Sequence, residues 1–456
     1  MKMKIIASVC LGLSVLSAAP ITFADVNLEQ RVKQMERELN ELKAIIREQN
    51  RVANAKAKEV DAKVNEVNAK VEKVVSNNVV VEKDHSKKSG FKTKKGTTFN
   101  YGGYVKVNGI FTDTSDGLTA ENNITNSILV PGAIGTGDGS NDEGVEFDSD
   151  AFTSRFHFGT ETQTDYGKVK TFIELDFLSG GGNEAVSNST NPRIRHAFIN
   201  WDYAPDQSLL VGQTWSTFFN VSSLPDSVDF IGPTSGAIFN RQQQIRWTKK
   251  LGGGSSFQLA AENPSTSLSG IGGDIDDSSI PDLVARYNGK SGGHSYSLAV
   301  VGRDIAIDSG LTDDSAYGLA ANFSGKYAFS NKDAIKYSIA YGNLGRYIAL
   351  SAFGDGGIDS SGDVDLTTVL GGFVAYQHHW NKTLRSTIQY AYATADLGDG
   401  VASTNTETVQ NFNLSLVYNP VPKLDFGGAL IFADRELENG DDGDLTRLQF
   451  TAKYSF

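Results

Sequence analysis

The sequence predicts a transmembrane all-β barrel of about sixteen antiparallel strands, preceded by an N-terminal α-helical coiled coil. Three observations support this. The last segment alternates Phe450, Ala452, Tyr454 and Phe456 with polar residues up to the terminus. The composition sets 47 glycines and 16 tyrosines against 3 methionines, 4 tryptophans and 1 cysteine, which suits strands and turns better than a helical core. Apolar residues between 28 and 74 fall on a heptad seam. No run of eighteen apolar residues occurs, which excludes a helical membrane protein. The mean hydropathy of -0.28 is compatible with a barrel that crosses lipid by short alternating strands.

Residues 1–24 open with Lys2 and Lys4, continue through the apolar stretch Ile5 to Leu16 and end in small residues before Ala24, the pattern of a cleavable secretory signal. Cys10 lies inside it. The mature chain, expected to begin at Asp25, then has no thiol for a disulfide or for thiolate metal binding.

Residues 25–76 are expected to form a periplasmic coiled coil. The seam runs through Leu28, Val32, Met35, Leu39, Leu42 and Ile46, passes Gln49, Ala53 and Ala57, and resumes at Val60, Val64, Val67, Val71 and Val74. The extra spacing of four near Ala57 is a stutter that relaxes the supercoil. Valine at both core positions disfavours a parallel dimer and favours a homotrimer. Residues 77–97 form a polar linker made basic by Lys83, Lys87, Lys88, Lys92, Lys94 and Lys95.

From 98 to 456 the pattern has period two. Candidate strands lie near 99–112, 150–164, 167–178, 192–203, 207–218, 240–249, 256–263, 281–289, 293–303, 315–329, 333–343, 367–380, 382–394, 405–419, 423–434 and 444–456. Short turns such as Asp165-Tyr166-Gly167 and Ala204-Pro205-Asp206 alternate with long acidic or glycine-rich loops, and the short turns belong on the periplasmic side. A soluble β-sandwich would not explain that inequality together with an export signal and a terminal aromatic. Loop 219–239, with Pro225, Phe230, Gly232, Pro233 and Gly236, is long enough to fold inward and narrow the barrel.

Alternation splits each strand into a lipid face and a lumen face. Phe412, Leu414, Leu416 and Tyr418 are expected outward, as are Leu384, Ile388, Tyr390 and Tyr392, which leaves a polar lumen. The same rule places Lys106, Arg155, Lys170, Arg193, Arg195, Arg246, Arg286, Arg303, Arg385 and Arg447 on the inner wall, against fewer acids such as Glu161, Glu174, Asp176 and Asp282. In a chain of net charge -12, that makes the working surface basic. Arginine binds carboxylate or phosphate through a planar fork, so such a pore should prefer anions. The alternative for any one arginine is a structural pair with a neighbouring acid.

Catalysis is poorly supported. His85, His157, His196, His294, His378 and His379 are scattered, and no phosphate loop or metal spacing stands out. His378 and His379 are expected on opposite strand faces, and neither a cofactor, a metal nor nucleic acid is called for. The enzymatic alternative is an outer-membrane enzyme of about a dozen strands.

Several stretches give the chain a family resemblance. They include Gly102-Gly103-Tyr104-Val105-Lys106, Phe172-Ile173-Glu174-Leu175-Asp176-Phe177, Arg193-Ile194-Arg195-His196-Ala197, Gly212-Gln213-Thr214-Trp215-Ser216 and Pro281-Asp282-Leu283-Val284-Ala285-Arg286-Tyr287. With Ser154-Arg155-Phe156 and Gly345-Arg346-Tyr347, they resemble the DcaP-like porins of Gram-negative bacteria. The resemblance implies a trimer of sixteen-stranded barrels with a periplasmic coiled coil, taking up dicarboxylic acids and similar small anions. One departure is Ala429, where the resemblance implies a glutamate, leaving the surroundings of Arg447 more positive. The expected partners are a second and third copy of the chain, outer-membrane lipid, the barrel-assembly machinery that reads the terminal aromatic, and small anionic solutes. In a second reading the coiled coil, about 70 Å long at 1.5 Å per residue, tethers the membrane to peptidoglycan and the pore is non-selective.

Overall fold

Period-two alternation becomes a closed sheet in the computed structural model. It describes residues 96–116, 124–140, 144–179, 189–269, 278–308 and 313–456, with 79–80, 90–93 and single positions between 37 and 63. The strands are β1 (Thr98–Thr114), β2 (split into Glu146–Asp150 and Arg155–Thr164), β3 (Gly167–Asp176), β4 (Arg193–Ala204), β5 (Gln207–Trp215) and β6 (Arg241–Gly252). They continue as β7 (Ser255–Glu262), β8 (Asp282–Ser291), β9 (His294–Asp308), β10 (Asp313–Ala328) and β11 (Ala334–Gly342). The last five are β12 (Thr368–His379), β13 (Leu384–Asp396), β14 (Thr406–Val421), β15 (Leu424–Leu437) and β16 (Asp442–Ser455). Each pairs antiparallel with its chain neighbours, and β16 closes on β1 from Leu445 opposite Thr114 to Ser455 opposite Tyr104. All sixteen expected strands are present, and the closed ladder leaves no unpaired edge in lipid.

The positions described between 37 and 63 are helical, among them the seam residue Leu39. The other seam residues and the signal segment with Cys10 lie outside the described residues. The stretch expected to be a linker contains two short strands: Gly90–Thr93 pairs with the first residues of β1, and Val79–Val80 pairs with Lys92 and Thr93.

The outer face follows the alternation. Leu298 and Val300 on β9, Ile339 and Tyr341 on β11, Leu414, Leu416 and Tyr418 on β14, and Phe450 and Tyr454 on β16 all point outward. Trp201, Tyr203, Tyr327, Trp380 and Phe426 ring the end with short turns, the aromatic girdle expected at a membrane interface. At that end Asp333, in the β10–β11 turn, accepts the His379 backbone N–H at 2.8 Å and the Tyr376 hydroxyl at 2.8 Å. His378 Nδ1 lies 2.9 Å from the same carboxylate and His379 Nδ1 lies 3.9 Å from it. Both rings thus lie near one carboxylate at the strand end, on different oxygens, with His378 beside outward Tyr376 and Trp380. These bonds, the His379 N–H first and His378 next, hold the Asp333 carboxyl well below the usual carboxylate range.

The inner face differs from expectation on six of the sixteen strands. On β9 to β14 the inward residues include Ala299, Val301, Ala320, Ala340, Val369, Ala393 and Val409, which are apolar and fully buried. They are covered by Phe218, Phe219 and Ile238 from the loop after β5 and by Leu344, Tyr347, Ile348 and Phe353 from the loop after β11. On these strands the apolar layer lies toward the long loops, and inward residues nearer the short turns, such as Asn322, Gln389, Asn411 and Ser415, are polar. Small side chains leave room for the loops, and burying the loop aromatics against them gains about 25 cal/mol per Å².

Leu414 is apolar, outward and near the middle of β14. Its replacement by arginine is expected to cost about 2–4 kcal/mol of barrel stability, as for charges at the bilayer midplane. Urea unfolding in lipid vesicles measures this, and a change near zero would mean that the face is not in lipid.

Candidate functional site

The loop between β5 and β6, residues 216–240, crosses the interior and is bonded to the far wall. Val228 donates its N–H to Ser415 Oγ at 3.3 Å, and its carbonyl accepts Lys106 Nζ at 2.7 Å. Asn411 of β14 clamps the loop twice, accepting the Ser235 N–H at 2.9 Å and donating Nδ2 to the Gly232 carbonyl at 2.9 Å. Arg385 pairs with Asp226, Lys336 donates to the Leu224 carbonyl, and Arg286 donates to the Phe219 carbonyl at 2.8 Å. The approach is close. A side chain on Gly236 would put its Cβ 1.9 Å from the Gly372 carbonyl oxygen, and Gly232 has φ +92° with its α-carbon against Gln389. The inward loop expected from sequence is therefore present.

Two cavities lie on either side of the loop, the outer against β4 to β6 and the inner against β1, β2 and β13 to β16. The outer one, of about 490 Å³, faces the long loops and is lined by Arg193, Arg241, Asn240, Gln213, Phe239 and Phe230 together with apolar residues including Ile128 and Leu350. The inner one, of about 230 Å³, is lined by Lys106, Arg155, Arg385 and Lys453 against Asp226, Asp229 and Asp425, with Tyr104 and Thr451. Four cations thus face three carboxylates there.

The local sequence explains how the cations reach this side. Between β3 and β4 the register steps past Arg195, so that Glu174 pairs with His196 and Leu175 with Ile194. This bulge buries Arg195 and His196 together, although neighbours on a regular strand would face apart. Arg195 donates to Glu174 at 2.7 Å and to Asp176 at 2.9 Å, and Arg193 grips Asp176 through two bonds of 2.9 and 2.8 Å. Arg155 is less well satisfied. Its guanidinium is 3.9 Å from Glu174, and its buried Nε has no hydrogen-bond partner. It lies over the rings of Tyr104 and Phe230, at 5.4 and 5.3 Å from their centroids.

The ten cations expected on the inner wall separate into distinct environments. Lys106, Arg155 and Arg385 line the inner cavity, Arg193 the outer one, and Arg195 lies over the ring of Phe230, paired with Glu174 and Asp176. Lys170 sits toward the short-turn end, paired with Asp202 at 2.7 Å. Arg246 and Arg286 lie behind the inward loop; Arg286 also donates to Asn288 at 2.7 Å and Asn220 at 3.2 Å. Arg303 and Arg447 have side chains only 1% exposed and are closed off from both cavities. Arg303 pairs with Asp355 and donates to the Ser265 carbonyl at 3.0 Å, while Arg447 donates to Thr112 Oγ1 and the Thr125 carbonyl, both at 2.9 Å. Strand alternation places these two inward; the loops that cover them, 124–134 and 343–367, are invisible to it. Ala429 joins Leu129, Ile134, Val228 and Ile431 in an apolar cluster, so it seats two loops and does not merely leave Arg447 without an acid.

Residues missed by strand alternation come from strand ends and loops. Arg241 is the first residue of β6, beside inward Gln242, where alternation assigns the other face. Its stacking on cross-strand Trp215, 4.8 Å from the ring centroid, turns it to the mouth. Asp226 and Asp229 arrive only through the inward loop, and they reduce the cationic excess expected from the wall alone. Among the described residues no cluster of histidines, cysteines or acids has the arrangement of a metal site.

The sequence profile of a family described as DcaP outer membrane protein matches residues 27–456. No curated protein matches at a significant level. Among solved structures, the chain is similar to the outer membrane channel DcaP of Acinetobacter baumannii, with 24% identity, 80% of this chain and 99% of that chain covered, and a TM-score of 0.67. It is also similar to an anion-selective porin from Comamonas acidovorans (12% identity, 79% and 100% covered, TM-score 0.50). A third likeness is the trimer form of OmpT of Vibrio cholerae (11% identity, 79% and 99% covered, TM-score 0.51). At these identities the structural likenesses establish the porin-type barrel.

The double clamp on the loop has a measurable consequence. Asn411→Ala removes two hydrogen bonds of about 1 kcal/mol each and should raise the undocked-loop population roughly thirtyfold. Single-channel recording is expected to show larger, flickering conductance, with the barrel still resistant to SDS before boiling.

Proposed function

Because the chain belongs to the DcaP outer membrane protein family, we propose that this outer-membrane channel works as a homotrimer that passes small anions, dicarboxylates among them, by passive diffusion. The observation that supports this reading is the inner cavity, where Lys106, Arg155, Arg385 and Lys453 face three carboxylates. An anion entering through the long loops meets Arg193 and Arg241, then Arg195 over the ring of Phe230, then this cavity. Each fixed positive charge acts in a confined, partly desolvated space where its field is screened less than in bulk water. The acids that fold inward keep the cations in place, and the small positive excess favours entry without holding an anion so tightly that it cannot leave. Arg303 and Arg447, enclosed by loops, serve as struts in this reading and do not line the path.

The trimer is supported by the valine-rich seam of residues 60–74. Short turns lie in the periplasm with the coiled coil, and the terminal Phe456 is the signal read during barrel assembly. A second reading, a tether to the cell wall through the coiled coil and the lysines of 83–95, is favoured by that basic run alone.

Reversal potentials in planar bilayers under a salt gradient test the first reading. Wild-type channels are expected to prefer chloride to potassium, and liposomes should swell faster in succinate or phosphate than in glucose. The double variant Lys106→Gln, Lys453→Gln should lower the anion preference about fivefold, corresponding to a change of about 1 kcal/mol in the local field. Cation preference in the wild type would overturn the proposal. Deleting residues 25–95 separates the two readings: loss of trimers with weakened conductance indicates assembly, whereas unchanged conductance with a fragile envelope indicates tethering.

A further inference from the structure

The ring of Phe230 belongs to both cavities, lining the outer one beside Arg193 and Arg241 and the inner one beside Arg155 and Lys106. Its backbone is held from both sides: Val228 is bonded to Ser415 and Lys106, and Gly232 to Asn411. Asp229 Oδ2 accepts the Gly232 N–H at 3.1 Å and closes the turn beneath the ring. The peptide is therefore fixed, so any opening must come from the side chain, a half-buried ring whose other neighbour is Phe239 at 6.0 Å between centroids. Two guanidinium groups lie over that ring, Arg155 at 5.3 Å and Arg195 at 5.6 Å from the centroid. Of these, Arg195 is saturated by Glu174 and Asp176, whereas Arg155 keeps a buried Nε with no hydrogen-bond partner.

Resting on the anion-channel reading above, we propose that Phe230 is the specificity-determining residue of the pore, a ring partition that opens when an anion replaces it as the partner of Arg155. A neutral solute must displace the ring without compensation. A carboxylate supplies a stronger partner for the guanidinium than the π face it displaces, because a charge-assisted hydrogen bond to Nε is available and a ring cannot provide one. Size and charge discrimination then reside in one side chain, with the arginine as the group exchanged between ring and solute.

Two substitutions separate the steric and electrostatic parts of this idea, both in the full-length channel. Phe230→Ala removes the partition: unit conductance should rise severalfold, and raffinose, which the wild type is expected to exclude, should swell liposomes at a rate approaching that of glucose. Phe230→Leu keeps most of the bulk but offers Arg155 no π face, so raffinose stays excluded and succinate should half-block chloride current at a concentration about fivefold lower. SDS resistance before boiling confirms that both barrels are folded. Wild-type conductance and raffinose exclusion in Phe230→Ala overturn the partition, and an unchanged half-blocking concentration in Phe230→Leu overturns the exchange. Cation preference in the wild type defeats the anion reading while the sugar comparison still decides whether Phe230 is the partition.

Discussion

A loop drawn into a barrel takes its backbone amides and carbonyls out of bulk water, and each of those groups must find a partner or carry a desolvation cost. Residues 216–240 meet this constraint with side chains of the wall: Asn411 and Ser415 from β14, Lys106 from β1, Arg286 from β8, Lys336 from β11 and Arg385 from β13. The pore as a whole depends on that docking. It divides the interior into two cavities, imports Asp226 and Asp229 and fixes the backbone on either side of Phe230.

The docked loop also explains why the inner wall is chemically two-sided. Where β9 to β14 receive Phe218, Phe219, Ile238 and Tyr347, the inward positions toward the long loops are alanine and valine, and those nearer the short turns, such as Asn322, Gln389, Asn411 and Ser415, are polar. Around the two cavities, on β1 to β6, β16 and the short-turn end of β13, the inward positions hold lysine, arginine and aromatic rings. A barrel lined uniformly with cations would give a wide, weakly discriminating hole. Filling part of the lumen with apolar loops presses the route for solute against the charged wall, where fields are focused by low-dielectric surroundings.

Charge balance follows the same division. Glu174 and Asp176 on β3 neutralise Arg193 and Arg195, and the loop residue Asp355 neutralises Arg303. An isolated buried guanidinium would be costly, so most wall arginines are paired, bonded to backbone carbonyls or covered. Arg155 departs from that rule, with one acid at 3.9 Å and an unbonded Nε. The departure falls in the inner cavity beside Phe230, where an incompletely satisfied cation is most useful for attracting a passing anion.

By itself the sequence determined the barrel. All sixteen strands and the inward acids Glu161, Glu174, Asp176 and Asp282 are legible because alternation is a local property, and the inward loop is legible from its length and its prolines and glycines. The terminal run ending at Phe456 shows this in its simplest form: outward Phe450 and Tyr454 are interleaved with Arg447 and Lys453, both turned inside. Only the tertiary structure decided which inward cations face a cavity. Arg155 and Arg447 read alike along their strands, yet one lines a cavity and the other is 1% exposed beneath residues 124–134. Likewise the bulge at Arg195, the turn of Arg241 toward Trp215 and the pairing of Arg303 with Asp355 depend on residues tens of positions away. The reason is geometric: period two specifies the side of the sheet on which a residue lies, and long-range loop packing specifies what covers that side.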